Sequence, residues 1–108
     1  MILFKPEHVD MILAGYKTQT RRLGKKRWNV GAIHACYTRP PFAKGGAEPF
    51  CRVRITDVRR ERLVDISLED VWAEGYLTTK QFLRAFFTIN PKASGGLLVW
   101  VVTFEVAP

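Results

Sequence analysis

Cysteine and histidine are scarce in this sequence, which excludes several kinds of site. The 108 residues include two cysteines and two histidines. Two cysteines cannot build a disulfide framework, and Cys36 and Cys51 lie in apolar, strand-like runs where a free thiol packs as a small hydrophobic group. We expect His8 to be exposed on a first helix and His34 to line a core or a cleft. Neither has a second ligand at metal-binding spacing, so we predict no metal site and no cofactor.

Long apolar runs, internal repeats and low-complexity segments are also missing. No stretch approaches the ~20 apolar residues of a membrane helix, and the opening MILFKPEH lacks the pattern of a signal peptide. We therefore expect a cytoplasmic protein without membrane association or an obligatory protein partner, as a monomer or weak dimer. A chain of 108 residues is most simply one domain, residues 1–108.

Acidic residues are outnumbered, and the imbalance is concentrated in one half of the chain. The sequence has 17 Lys and Arg against 10 Asp and Glu, a net charge of +7. Residues 1–62 contain 14 of these cations and 5 of the acids, whereas residues 63–108 contain 3 and 5. A basic surface of this kind favours a polyanionic partner, with nucleic acid ahead of a membrane surface.

Apolar patterning predicts an α+β chain in the order β-α-β-β-β-α-α-β. We expect strands at 2–4, 32–38, 51–63 and 97–106, and a first helix from Pro6 that ends at Gly15. Capping boxes at Ser67 and Thr78 predict two further helices, and residues 39–49 form a long loop. The last strand is expected to place Leu98, Trp100, Val102, Phe104 and Val106 on one face. This order suggests a small curled sheet or barrel with helices at its rim.

The stretch GYKTQTRR, residues 15–22, has the composition of a phosphate-binding turn. Backbone amides that follow a helix cap are expected to be free, and such amide groups attract anions. The nearby cations are Lys17, Arg21, Arg22, Lys25, Lys26 and Arg27. The alternative is a solvated basic strand edge, which would also protect the sheet from aggregation.

Catalysis at this stretch would need a nucleophile, a base and an acid. Thr18 and Thr20 supply hydroxyls, and Lys17 can act as a base if burial and neighbouring cations lower its pKa. Residues 17 and 20 share a cleft only if the chain turns between them, because a regular strand points them to opposite faces. Glu74, in AEGY, is the candidate acid; the alternative is an exposed carboxylate at a helix end.

Aromatic and basic side chains elsewhere are candidates for binding an RNA or a nucleoside. Trp28, Tyr37 and Phe42 lie near the basic segments, where each either stacks on a base or belongs to the core. Tyr16 and Tyr76 flank the proposed site. Arg52 and Arg54 occupy the polar face of an alternating strand and extend the basic surface.

Several of these segments together resemble the ASCH domain, a PUA-like β-barrel family. The resemblance is carried by FKPEHVDMILAGYKTQTRR, by VG at 30–31, by AEGY at 73–76 and by the closing VWVVTFE. It implies a small barrel, with a cleft beneath its helices, that binds RNA or nucleotides. The run RRLGKKR and the Pro- and Gly-rich loop at 39–49 depart from the pattern of the smallest members and suggest a larger substrate.

The resemblance also implies an activity. Some bacterial ASCH proteins are amidohydrolases that remove the acetyl group from N(4)-acetylcytidine, with lysine as proton acceptor, threonine as nucleophile and glutamate as proton donor. These roles fall on Lys17, Thr20 and Glu74. Two alternatives stay open: a non-catalytic module that binds single-stranded RNA, and a metal-independent ribonuclease, which ranks third because the chain lacks a pair of acid/base histidines.

Overall fold

A mixed five-stranded sheet with three short α-helices organises the chain, which a computed structural model describes over residues 1–108. The elements in chain order are β1 (Ile2–Leu3), a 3₁₀ turn (Pro6–His8), α1 (Val9–Leu13), β2 (Gln19–Arg22), β3 (Ile33–Tyr37), β4 (Cys51–Arg62), a second 3₁₀ turn (Leu63–Asp65), α2 (Leu68–Ala73), α3 (Thr79–Ile89) and β5 (Leu98–Ala107). The sheet order is β1-β3-β4-β5-β2. Only β1 and β3 are parallel.

The sheet is curled, so that its two edge strands approach each other. The Arg22 guanidinium on β2 donates a hydrogen bond of 2.6 Å to the carbonyl oxygen of Leu3 on β1. A register shift between Ile55 and Asp57 marks a bulge in the long strand β4, and bulges bend a strand and increase its twist. The predicted fold class, α+β with a curled sheet and helices at its rim, is confirmed.

Side-chain caps begin the two helices that follow β4, as the sequence predicts. The Ser67 hydroxyl accepts a hydrogen bond from the Asp70 amide, and the Thr78 hydroxyl accepts one from the Gln81 amide, both at 3.1 Å. Each bond satisfies an amide that the first helical turn leaves unpaired. None of the helices combines the length and the apolar character that crossing a bilayer requires.

Apolar side chains are buried on both faces of the sheet. One cluster comprises Ile2, Phe4, Ile12, Trp28, Cys36, Val53, Ile55, Val102 and Phe104. The other lies beneath α2 and α3 and comprises Leu63, Ile66, Val71, Phe82, Phe86, Val99 and Val101.

The last strand buries residues from both of its faces. Leu98 and Val106 are exposed, whereas Val99 and Val101 on the opposite face are fully buried. Both faces contain buried residues because Val102 and Phe104 pack in the first cluster, whereas Val99 and Val101 pack in the second.

Removal of the α2 cap tests how far this short helix depends on its first turn. We expect Ser67→Ala to lower the free energy of unfolding by about 1 kcal/mol, because the Asp70 amide loses its acceptor. Ser94→Ala is the matched control, since Ser94 is exposed and its hydroxyl makes no hydrogen bond. Urea denaturation measures both; equal stability of the two variants would contradict a role for the cap.

Candidate functional site

A cavity of about 530 Å³ lies between the edge strands and α3. Its walls come from the start of the chain, from the segment that includes β2, and from the segment that includes α3. The lining residues are Leu3, Phe4, Lys5, Pro6, His8, Lys17, Thr20, Arg21, Arg22, Leu23, Thr38, Glu74, Tyr76, Phe82, Ala85, Phe86, Ile89 and Asn90. Lys17, Thr20 and Glu74 therefore line one cavity.

Two glycine-terminated helix ends bring Lys17 and Glu74 together. Gly15 (φ +82°) follows α1 and Gly75 (φ +97°) follows α2, each in the left-handed conformation that other residues rarely adopt. Lys17 comes two residues after the first glycine, and Glu74 directly precedes the second. A side chain at Gly75 would also crowd the site, because its Cβ would lie 3.1 Å from the Met11 methyl carbon.

The same helix end overturns the expectation of free amides at residues 15–18. The Gly15 amide donates to the Ile12 carbonyl, and the amides of Tyr16 and Lys17 both donate to the Met11 carbonyl. The bonds of residues 15 and 16 form a Schellman motif, which closes the helix end.

The next amide is also occupied. The Thr18 amide donates to the carbonyl of Ala73 on α2 at 2.8 Å. The segment therefore has no unpaired amide to receive a phosphate or an oxyanion.

Lys17 is buried with every ammonium hydrogen in use. Its side chain is 3% exposed, and Nζ donates to Glu74 Oε1 at 3.2 Å, to the Glu74 carbonyl at 2.5 Å and to the Gln19 carbonyl at 3.1 Å. Burial lowers the pKa of Lys17, and the contact with Glu74 offsets part of that effect. The amine form of Lys17 is therefore more accessible than that of a surface lysine.

Arg21 fixes the other oxygen of Glu74. Its side chain is fully buried and donates to Glu74 Oε2 at 3.1 Å, to Glu61 at 2.8 Å and to Asp70 at 3.0 Å. A further bond reaches the Gln19 side chain at 3.0 Å, so only Nε lacks a partner. Glu74 is thus a buried carboxylate with both oxygens hydrogen-bonded, not an exposed carboxylate at a helix end. Arg21 donates its hydrogen bonds to side chains of the protein, whereas the sequence analysis expected it to contact a phosphate.

Thr20 is buried beside a different cation. Its Oγ1 accepts a 2.9 Å hydrogen bond from Nε of Arg22. Because β2 begins only at Gln19, Lys17 lies before the regular alternation and its side chain reaches the same cavity as that of Thr20. Residues 17 and 20 therefore line one cavity, although no hydrogen bond joins the two side chains.

The other predicted binding residues divide into three groups. Trp28 is 6% exposed and packs in the first core, which is the alternative to base stacking that the sequence left open. The apolar ring gains more from burial than from facing solvent. Tyr76 lines the cavity. The remaining predicted residues lie outside the cavity lining: Tyr16, Thr18, Lys25, Lys26, Arg27, Arg52 and Arg54. All of these are exposed except Thr18, which is half-buried.

His8 is a cavity residue that the sequence analysis placed wrongly. It is buried, and its ring meets that of Tyr76 edge-to-face at 5.4 Å. The spacing from His8 to the core residue Ile12 was an available signal, since residues four apart share a helix face. No three His, Cys, Asp or Glu side chains form a group that could hold a metal ion.

Several solved structures of other proteins have a fold similar to that of this chain. An ASCH domain from Lactobacillus crispatus is 21% identical, with a TM-score of 0.67 over 91% of this chain and 69% of that chain. A variant of an ASCH protein from Zymomonas mobilis is 12% identical, with a TM-score of 0.65 over 96% and 67%. This chain has the ASCH-domain fold.

A third structure, from Enterococcus faecalis and assigned to the family DUF984, is 17% identical, with a TM-score of 0.74 over 98% of this chain and 78% of that chain. No protein-family model and no curated protein matches the sequence. The resemblance noted from the sequence is therefore confirmed as an ASCH-domain fold.

The buried His8 makes the stability of this ASCH-fold protein depend on pH. Burial first, and then the charge of Lys17, lower the pKa of His8 from 6.5 to about 4. Between these two values the unfolded chain binds a proton at His8 and the folded chain does not. The free energy of unfolding therefore decreases as the pH falls from 6.5 through about 4. We expect the melting temperature of His8→Gln to fall less steeply than that of the wild type across this window. Parallel curves from differential scanning fluorimetry would show that His8 is not buried in its neutral form.

Proposed function

We propose that the protein is an amidohydrolase that removes the acyl group from N(4)-acetylcytidine or a related acylated cytosine nucleoside. The observation that carries the proposal is a direct, buried contact between Lys17 Nζ and Glu74 Oε1, at 3.2 Å, in a cavity that the Thr20 hydroxyl also lines. Hydroxyl, amine and carboxyl groups in one cavity are the parts of a nucleophile, base and acid system.

The Lys17–Glu74 contact prepares both the base and the acid. Transfer of one proton from the ammonium to the carboxylate gives a neutral amine beside a neutral carboxylic acid, with no exchange with solvent. Burial lowers the pKa of Lys17 and so favours this neutral form of the amine. The amine then accepts the Thr20 proton, and the acid supplies a proton to the departing exocyclic nitrogen of cytosine.

The resulting reaction is balanced with water alone. The Thr20 oxygen loses its proton to Lys17 and forms a bond to the acyl carbon, whose carbonyl electron pair moves to oxygen. The carbon–nitrogen bond then breaks, and the amine leaves with a proton from Glu74. Water hydrolyses the acyl-threonine ester, which releases acetate and restores the hydroxyl.

The cavity suits a nucleoside in size and lining. Its volume of about 530 Å³ falls within the usual range for small-molecule sites, about 300–1,000 Å³. Aromatic rings of Phe4, Tyr76, Phe82 and Phe86 line it, and such rings stack on nucleobases. His8, which is neutral above about pH 4, adds a polar group without a charge.

Removal of the Thr20 hydroxyl tests the nucleophile. We expect Thr20→Ala to lower kcat for N(4)-acetylcytidine by on the order of 10³-fold or more, because the variant lacks the oxygen that attacks the acyl carbon. Thr88→Ala is the control: Thr88 is exposed at the end of α3, and its hydroxyl donates only to its own helix. Cytidine released is measured by chromatography.

The outcomes separate the parts of this proposal. Full deacylation by Thr20→Ala would reject Thr20 as the nucleophile. A wild-type protein that leaves the nucleoside intact would reject the hydrolase itself.

The second candidate is a module that binds single-stranded RNA, and one observation favours it. Lys25, Lys26 and Arg27 are exposed at a turn held in place by a 3.0 Å hydrogen bond from the Trp100 ring to the Gly24 carbonyl. Leu23, at the start of that turn, lines the cavity. A strand whose base occupies the cavity would thus pass a fixed group of cations that can contact its phosphates.

Replacement of this turn tests the RNA candidate. We expect the combined variant Lys25→Ala, Lys26→Ala, Arg27→Ala to bind single-stranded RNA more weakly and to reduce the slope of log K against log salt concentration by about 2, at about 0.7 per phosphate contact. The matched control removes the same charge from α3 and the turn after it: Lys80→Ala, Arg84→Ala, Lys92→Ala. Fluorescence anisotropy measures the RNA affinity of both variants. An equal loss of affinity in the two would show that net charge, and not the position of these three cations, causes the effect.

A further inference from the structure

Arg22 is the only cation in direct contact with the candidate nucleophile. Its Nε donates to Thr20 Oγ1 at 2.9 Å, and its Nη2 donates to the Leu3 carbonyl at 2.6 Å. The ring of Phe4 lies against the guanidinium, with 5.4 Å from its carbon to the ring centroid. These contacts hold a planar cation in one orientation at the cavity wall.

The amide and ammonium donors of the segment before Thr20 are already committed. The amides of residues 15–18 all bond to backbone carbonyls, and the three ammonium hydrogens of Lys17 bond to Glu74 and Gln19. Arg21 donates to four side chains. In contrast, Nη1 of Arg22 has no partner within the protein, while Arg22 lines the cavity.

From these contacts we infer that Arg22 is a catalytic residue that stabilises negative charge on the Thr20 oxygen and on the acyl oxygen during the attack. The inference rests on the proposed amidohydrolase function. Nε already contacts the oxygen that loses its proton. Once the ester bond forms, the acyl oxygen is only two bonds away from Thr20 Oγ1, so it also lies close to the positive charge of the guanidinium. A guanidinium suits this role because it stays charged when buried and presents its N–H groups in a fixed plane.

Kinetics of Arg22→Lys test the inference in the enzyme. The lysine keeps the charge but lacks the planar fork, so we expect kcat for N(4)-acetylcytidine to fall by about 100-fold or more, with KM within about threefold. Arg84→Lys, on the exposed face of α3, is the matched control. Guanidinium chloride at millimolar concentration is expected to restore part of the activity of Arg22→Ala, a recovery that a purely structural role would not give.

A thiol at position 20 supplies a readout that does not depend on activity. In Thr20→Cys, the adjacent guanidinium is expected to hold the pKa of the introduced thiol below the usual value of about 8.5. The native thiols do not interfere, because burial raises the pKa of Cys36 to about 12 and also raises that of Cys51. The rate of alkylation by iodoacetamide against pH gives the value. Addition of Arg22→Gln should raise it by at least one unit.

The outcomes separate a failure of this inference from a failure of the proposed amidohydrolase function. A wild-type protein without deacylation rejects the amidohydrolase and, with it, the role of Arg22 in that reaction. An active wild type, together with an Arg22→Lys variant of undiminished kcat, rejects only Arg22. Arg22 also joins β2 to β1, so an Arg22 variant can fail to fold. In that case the thiol of Thr20→Cys, in which Arg22 is unchanged, supplies the test: a thiol pKa at or above about 8.5 overturns the inference.

Discussion

A charge-balanced network centred on the buried Arg21 holds the candidate site in one arrangement. Its three cations are Lys17, Arg21 and Arg59, and its three acids are Glu61, Asp70 and Glu74. The members come from β2 and the segment before it, from β4, and from α2 with its cap. Loss of one partner from a buried pair costs about 3–5 kcal/mol because the other charge is left uncompensated. The network therefore permits few alternative positions for the Glu74 carboxylate.

Such networks add little net stability compared with apolar packing, since desolvation of the charges offsets their attraction. Their effect here is on geometry. Lys17 holds one carboxylate oxygen of Glu74 and Arg21 holds the other, so the acid cannot rotate without breaking a bond. The apolar clusters on the two faces of the sheet supply the stability that this arrangement requires.

The sequence predicted those parts of the fold that depend on local rules. Capping boxes located the starts of α2 and α3, and the glycine after α1 located its end, because each is decided by a few neighbouring residues. The burial of both faces of β5, and of Trp28 and His8, depended on which elements the chain brings together from a distance. Composition alone cannot show those contacts, so His8 was placed wrongly and Trp28 was left between two alternatives.

The candidate site divides in the same way. The motif identified Lys17, Thr20 and Glu74 as residues to examine, and all three line the cavity. The motif did not show that the helix end uses the amides of residues 15–18, nor that Arg21 is enclosed by acids while Arg22 contacts Thr20. The use of the amides depends on how the backbone ends α1. The enclosure of Arg21 by acids depends on contacts between segments some 40 to 57 residues apart in sequence.

The backbone bond between the Thr18 amide and the Ala73 carbonyl, next to the bond between Lys17 Nζ and the Glu74 carbonyl, has a mechanical consequence. It fastens the last turn of α2 to the chain that enters β2. When thermal motion tilts α2, the lysine is carried with the helix, and the glutamate moves by a similar amount in the same direction. A displacement of α2 therefore moves the amine and the carboxylate together more than it changes the 3.2 Å between them.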